Sequence, residues 1–170
     1  RYFCLSRGLG DVYKRQQFKE YKIKPSQIGV KVLIFNSRDE VLLLKRNPEV
    51  YGDGEAYWDI PGGRVEKNID IASITGGGAL HPELCRELRE EIGWLPTGNE
   101  TLRFIARQQV TTSMNEKVDR YTVAMRIVDD IPVRLSNEHT AYKWIPADEL
   151  KNTENLGHAL KSLVSENNIK

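Results

Sequence analysis

A glycine turn, Pro61-Gly-Gly-Arg-Val-Glu66, followed by the carboxylate-rich stretch Arg86-Glu-Leu-Arg-Glu-Glu-Ile-Gly93, constrains this chain more than any other feature. On a helix, Glu87, Glu90 and Glu91 stand at i, i+3 and i+4, so their side chains project from one face and can converge on a small cation. Folding alone does not require such a cluster. Hard divalent cations take oxygen ligands, and magnesium is commonly held by a few carboxylates while substrate phosphate and water complete its shell. The spacing therefore predicts phosphate chemistry at a magnesium site. The alternative is a solvated helix face, for which Arg-Glu-x-x-Glu-Glu is ordinary composition.

The helix has legible ends. Pro82 suits a first helical position, where its missing N–H costs nothing, and Gly93 suits a terminus, which predicts a helix from about Pro82 to Ile92. Upstream, Ile69 to His81 contains Thr75-Gly-Gly-Gly78 and reads as a surface loop. A phosphate-cradling role for the triple glycine lacks the Lys-Ser or Lys-Thr that a P-loop needs.

Gly29 to Phe35 and Glu40 to Arg46 are β-rich runs joined by Asn36-Ser-Arg-Asp39, a hairpin signature. Tyr57 to Ile60 leads into the glycine turn. Leu102 to Thr111 and Arg120 to Val128 read as a second strand pair, and Tyr142 to Ile145 as a last strand. Pro146 to Leu150 is expected to start a short helix, and Leu156, Leu160, Leu163 and Val164 mark the apolar face of a terminal helix. This order predicts an α/β fold, a mixed β-sheet sandwiched between α-helices.

With 39% apolar and 29% charged residues, the 170-residue chain suits one core and one domain. Residues 1–16 resemble a translated sequencing-adaptor read-through and do not start with Met, so the domain is expected to occupy 17–170. That leader holds Arg1, Arg7, Lys14 and Arg15 against Asp11, a net of +3; subtracted from the overall +1, it leaves about −2 for the rest. No basic stripe interleaved with aromatics remains, which disfavours a nucleic-acid polymer as partner. Cys4 and Cys85 are the only cysteines, so neither a disulfide framework nor a cysteine zinc site is expected, and the reducing cytoplasm is the expected setting. No apolar run is long enough to suggest a membrane span.

Pro61-Gly62-Gly63, Glu66 and Arg86-Glu87-Leu88-x-Glu90-Glu91-x-Gly93 together resemble the box of the Nudix hydrolases, G-x5-E-x7-R-E-U-x-E-E-x-G-U, where U is a bulky aliphatic residue. The box is interrupted. The family pattern places 13 residues between its first Gly and its Arg, whereas 22 lie between Gly63 and Arg86, so nine are extra. Counting from either end places the first box Glu at Ile69 or Gly78; Asp70 and Glu83 are candidate replacements. Trp94 takes the final aliphatic position.

The resemblance implies the Nudix fold and hydrolysis of a nucleoside diphosphate linked to another group X. It implies magnesium, or manganese in its place, held by Glu87, Glu90 and Glu91, with the Gly62 carbonyl as an extra oxygen and Arg86 orienting the acids. Glu138, six residues before Trp144, matches a loop carboxylate of many family members and would be a fourth ligand or the general base; otherwise it is a plain loop acid. Its neighbour His139 is expected to face solvent. Gly62, Gly63, Glu66 and Arg46 are the expected substrate contacts. Glu66 would ligate metal or fix the loop, and Arg46 would reach phosphate or the acidic cluster.

The expected partner is a small-molecule nucleotide, and homodimerisation is left open. Where relatives acting on ADP-ribose or dinucleoside polyphosphates carry a proline or a tyrosine, this chain has Gln109, Val110 and Thr111 or Thr112. A nucleoside triphosphate, including an oxidised one, stands as the substrate guess. Tyr51, Tyr57 and Trp58 would either stack on a base or pack at the core and rim. Two competing readings are a nucleotide-binding or regulatory module that has lost catalysis, and a prenyl diphosphate isomerase on the same fold, for which Cys85 is poorly placed.

Overall fold

β1 (Ile28–Phe35) shows how the sheet sorts its side chains. Ile28, Val30, Val32 and Ile34 join one apolar cluster, and Leu33 and Phe35 join the other. This is the two-residue period of a strand covered on both faces. β2 (Glu40–Arg46) does the same, with Leu42 and Leu44 on the first face and Val41 and Leu43 on the second. The computed structural model describes residues 27–52, 54–66, 72, 74, 82–98, 100, 102–112, 115–167 and 169. The leader, Asp70 and the triple glycine lie outside the described residues.

The sheet is mixed and has six strands. β1 runs parallel to β5 (Lys117–Arg126), in register from Ile28 opposite Asp119 to Phe35 opposite Arg126. β4 (Leu102–Thr111) forms an antiparallel hairpin with β5, and β6 (His139–Pro146) pairs antiparallel with β2. β1 and β2 pair directly only at Phe35 and Val41, beside their connecting turn. There Asn36 Oδ1 accepts from the amides of Arg38 and Glu40, both at 3.0 Å. Beyond the turn the strands separate, and β3 (Trp58–Asp59) pairs with the far end of β2 at Leu44 and Lys45.

The chain after β3 fills the gap beside β1. Val30 N donates to Gly63 O, Val32 N to Pro61 O, and Val65 N to Ile28 O, each at 2.9 Å. Gly62 sits at φ 116°, and a methyl group there would collide with the Val30 carbonyl oxygen. Only glycine reaches this backbone region without strain.

Helices cover both faces, as expected for the fold class. α1 (Pro48–Tyr51) is a single short turn after β2. α2 (Pro82–Ile92) lays Leu84, Leu88 and Ile92 on the first face, and α3 (His158–Glu166) lays Leu160, Leu163 and Val164 on the second. Each leucine removed from water this way contributes about 1.5–3 kcal/mol. No helix among the described residues is long and apolar enough to cross a membrane.

Several expectations shift. Pro146 to Leu150 does not start an α-helix; a 3-10 turn covers Leu150–Asn152 instead. β5 starts earlier than expected and β6 is longer, because pairing with β4 and β2 extends strands past their apolar runs. The segment read as a surface loop contributes Ile74, helical and 5% exposed, to the cluster under α2. Glycine content does not register the pull of one apolar side chain toward an open core edge.

Replacing Gly62 with Ala forces either the collision or a shift of the β1 pairing. Urea denaturation is expected to show a loss of at least about 2 kcal/mol.

Candidate active site

α2 presents two adjacent stripes to the protein. Beside Leu84, Leu88 and Ile92 run Glu83, Glu87 and Glu91, each spaced by four and each buried. Glu90, expected on the same face as Glu87 and Glu91, lies outside them, with its side chain about half exposed at 53%. The wide apolar stripe fixes the rotation of the helix, so Glu83 rather than Glu90 is carried inward beside the other two.

The glycine turn meets this acidic stripe. Gly62 N donates to Glu91 Oε2 at 2.6 Å. A Cβ on Gly63 would lie 2.6 Å from Glu87 Oε2, so the second glycine permits the close approach of that carboxylate. Glu83 Oε2 accepts from Glu66 N at 3.0 Å and fixes the loop from below. The Glu66 side chain is exposed and stands 3.7 Å from Arg86, so loop fixation acts through its amide.

Arg86 binds the acids together. Its Nη2 donates to Glu87 Oε1 at 2.7 Å, Glu83 Oε2 at 3.2 Å and Arg64 O at 3.0 Å, while Nη1 donates to Glu90 Oε2 at 2.8 Å. Arg86 therefore bridges Glu83 and Glu87 and also makes an i to i+4 pair with Glu90. A guanidinium suits this task because its fork spreads donors in one plane.

The cleft, about 540 Å³ in volume, brings together Arg46, Gly62, Gly63, Glu66, Arg86, Glu87, Glu90, Glu91 and Glu138. Tyr51, Tyr57, His139, Lys31 and Asp59 also line it. Glu138 accepts from the Tyr51 hydroxyl at 2.7 Å. The Arg46 guanidinium lies 3.8 Å from the Tyr51 ring centre and 5.2 Å from that of Tyr57. Trp58 is not in the cleft lining; Lys143 sits 4.4 Å over its ring.

His139 corrects the sequence expectation. Its side chain is only 8% exposed, with Nε2 3.9 Å from Glu91 Oε1. The hairpin-like return into β6 turns it toward α2 rather than outward. Burial, with Lys31 nearby, pushes its pKa down to about 4, so the ring is neutral at neutral pH. Burial pushes Glu91 up to about 8, against the pull of Lys31 and the Gly62 amide, and Glu87 is also raised by burial, against Arg86 and Lys31.

Lys31, Asp59 and Arg120 were not anticipated. Asp59 accepts from Arg120 at 3.0 Å and pairs with Lys31 at 3.3 Å, and Lys31 also donates to Ile60 O at 3.1 Å. Burial alone would raise Asp59, but the two cations hold it at about 2. The available signal was a lysine inside the apolar run Val30 to Phe35 and an aspartate between Trp58 and Ile60.

The donor chemistry fits a hard cation. Glu87 and Glu90 each give one oxygen to Arg86 and keep a second outside these hydrogen bonds, and Glu91 keeps Oε1. Among the described residues, no three His, Cys, Asp or Glu side chains already form a group able to hold a metal ion. The carboxylates are assembled at one place; Arg86 is the cation shared by Glu83, Glu87 and Glu90, and Glu91 stands outside that network.

The sequence pattern of the NUDIX domain family matches residues 25–165. The chain belongs to this family. Solved Nudix structures share its fold. MutT protein from Methanosarcina mazei Go1 is 25% identical, with a TM-score of 0.64 over 84% of this chain and 93% of its own. An Ap4A hydrolase of C. elegans, in a binary complex, is 19% identical, with a TM-score of 0.52 over 81% and 93%. The NUDIX domain of Shewanella oneidensis NrtR, complexed with ADP ribose, is 14% identical, with a TM-score of 0.56 over 92% and 97%. No curated protein matches significantly.

This Nudix domain couples its stability to pH through two buried groups. Folded His139 titrates near 4 rather than the ordinary 6.5, so stability rises with pH across that range. Folded Glu91 titrates near 8 rather than 4.5, so unfolding releases its proton between those values and stability falls as pH rises. Above the ordinary histidine pKa, only the Glu91 effect remains of these two. Without divalent cation, Tm should fall from pH 6.5 to pH 8, and Glu91→Gln should flatten that slope.

Proposed function

We propose that this chain is a magnesium-dependent hydrolase that cleaves the diphosphate linkage of a nucleoside diphosphate joined to another group. The products would be a nucleoside monophosphate and the phosphorylated remainder. The observation that carries this reading is the placement of buried Glu87 and Glu91 directly against the Gly62–Gly63 turn, in a chain of the Nudix family. Further support comes from two structural neighbours, one named as an Ap4A hydrolase and one complexed with ADP ribose; both compounds contain adenosine linked through phosphoric anhydrides.

Glu87, Glu90 and Glu91, the Gly62 carbonyl and Glu138 would hold the magnesium or manganese. When bound, the cation would neutralise diphosphate charge and make an attached water a stronger nucleophile. Hydrolysis forms a bond from water oxygen to phosphorus and breaks the bridging P–O bond. The water's proton needs an acceptor, and Glu138, which lines the same cleft, would take it if it is not a ligand. Arg86 holds Glu87 and Glu90 in orientation. Arg46, close to the rings of both Tyr51 and Tyr57, would present a planar cation in the cleft to a phosphate or a base.

A second reading, a nucleotide-binding module without turnover, is favoured by one observation: Arg86 already engages Glu83, Glu87 and Glu90. A panel of ADP-ribose, dinucleoside polyphosphates, sugar nucleotides, canonical dNTPs and oxidised dNTPs, assayed with magnesium, separates the two. Turnover of one class supports the hydrolase and names its substrate. Silence across the panel with thermal stabilisation by a nucleotide supports the binding module. Because Glu90 is about half exposed and its carboxylate bonds to Arg86 at the helix surface, Glu90→Gln should leave the melting curve unchanged and lower turnover at least about a hundredfold.

A further inference from the structure

The short turn of helix at the cleft mouth has no core to serve. None of the four residues of α1 is buried, and four residues of helix have almost no stability of their own. What holds α1 is a set of hydrogen bonds, and most of them reach one place. Its N-cap, Asn47, accepts from Glu49 N through Oδ1 at 3.1 Å, while its own amide donates to Glu138 O at 2.8 Å. The Asn47 side-chain amide donates to Asn137 O, also at 2.8 Å. Gly52, left-handed at φ 69°, closes the turn by donating to Pro48 O at 2.9 Å. The last helical residue, Tyr51, also lines the cleft, and its hydroxyl donates to Glu138 Oε2 at 2.7 Å.

Three donors from residues 47–51 therefore converge on two consecutive residues, Asn137 and Glu138: two fix the backbone and one fixes the carboxylate. The Tyr51 ring is anchored in turn by the Arg46 guanidinium at 3.8 Å. This arrangement is more than loop packing requires. Two backbone bonds hold the turn, and the third bond, to Oε2, both ties α1 to that turn a second time and restricts the rotation of the Glu138 side chain.

We infer that α1 is a clasp in which Tyr51 is a positioning residue for Glu138, holding one carboxylate oxygen so that the other is directed into the cleft. This rests on the proposed hydrolase reading, in which Glu138 acts at the reacting centre. A carboxylate on a loop samples several rotamers, and a positioned acceptor is effective only in the one that reaches the water. The clasp removes that freedom before substrate arrives.

The test compares wild type, Tyr51→Phe, Glu138→Ala and the double variant, by steady-state kinetics on the panel substrate and by hydrogen exchange of backbone amides. Phenylalanine keeps the ring over Arg46 and removes only the hydroxyl, at a residue 41% exposed, so folding is not at risk. Tyr51→Phe should lower kcat about tenfold with KM changed less than about twofold, and should cost nothing further once Glu138 is alanine. The Asn47 and Glu138 amides should exchange faster in Tyr51→Phe, with the sheet unaffected. Additive losses in the double variant would overturn the clasp. So would a raised KM with kcat intact, which would make Tyr51 a surface for the substrate. If wild type turns nothing over, the hydrolase reading fails and exchange alone decides: faster exchange confined to Asn47 and residues 136–139 keeps the clasp, and unchanged exchange discards it.

Discussion

The pairing of Pro61–Val65 with the open side of β1 is the constraint on which the cleft depends. β2 leaves β1 after a single pair at Phe35 and Val41, and three backbone hydrogen bonds between β1 and the glycine strip, two donated by β1 and one by Val65, take the vacated positions. That exchange sets the glycine turn into the sheet rather than on a loop above it. Gly62 then has its N–H directed at Glu91, and Gly63 allows Glu87 to approach without a Cβ in the way. A site carried by sheet backbone is positioned far more narrowly than one carried by a free loop.

Charge balance is the second requirement. Buried carboxylates are tolerated only when partnered, and this cleft divides the work between two groups of cations. Arg86 serves Glu83, Glu87 and Glu90 on the helix side, while Lys31 and Arg120 hold Asp59 ionised on the strand side. Glu91 lies between the two groups with the Gly62 amide donating to it, and burial raises its pKa accordingly. The group least compensated by protein is thus the one closest to the glycine turn, where an added cation would relieve it most.

Much of the fold was legible because it follows from periodicity. The apolar alternation of β1 and β2, the Leu84, Leu88 and Ile92 stripe, and Pro82 and Gly93 at the ends of α2 are local signals, and the structure follows them. Where tertiary pairing decides, the reading slipped: β6 lengthens along β2, the two-residue β3 is set by its pairing with β2, and α1, with no apolar face, leaves no pattern to read. At the site, the motif residues do gather in one cleft, including Glu138 and Arg46 from far along the chain. Lys31, Asp59, Arg120 and the inward turn of His139 were not read, because no spacing rule links residues that meet only through sheet register.

The sequence by itself determined the chemistry on offer: glycines that free a backbone path, and a helix whose spacing clusters carboxylates on neighbouring faces. Those properties are local, set by the absence of a Cβ and by 3.6 residues per turn. Tertiary structure decided which acids face inward. Burial of the leucine stripe rotates α2 so that Glu83, Glu87 and Glu91 enter the protein and Glu90 stays at its edge. It also decided which cations answer those acids and that Tyr51 reaches Glu138, because both depend on strands and turns that are distant in the chain and adjacent only once the sheet has formed.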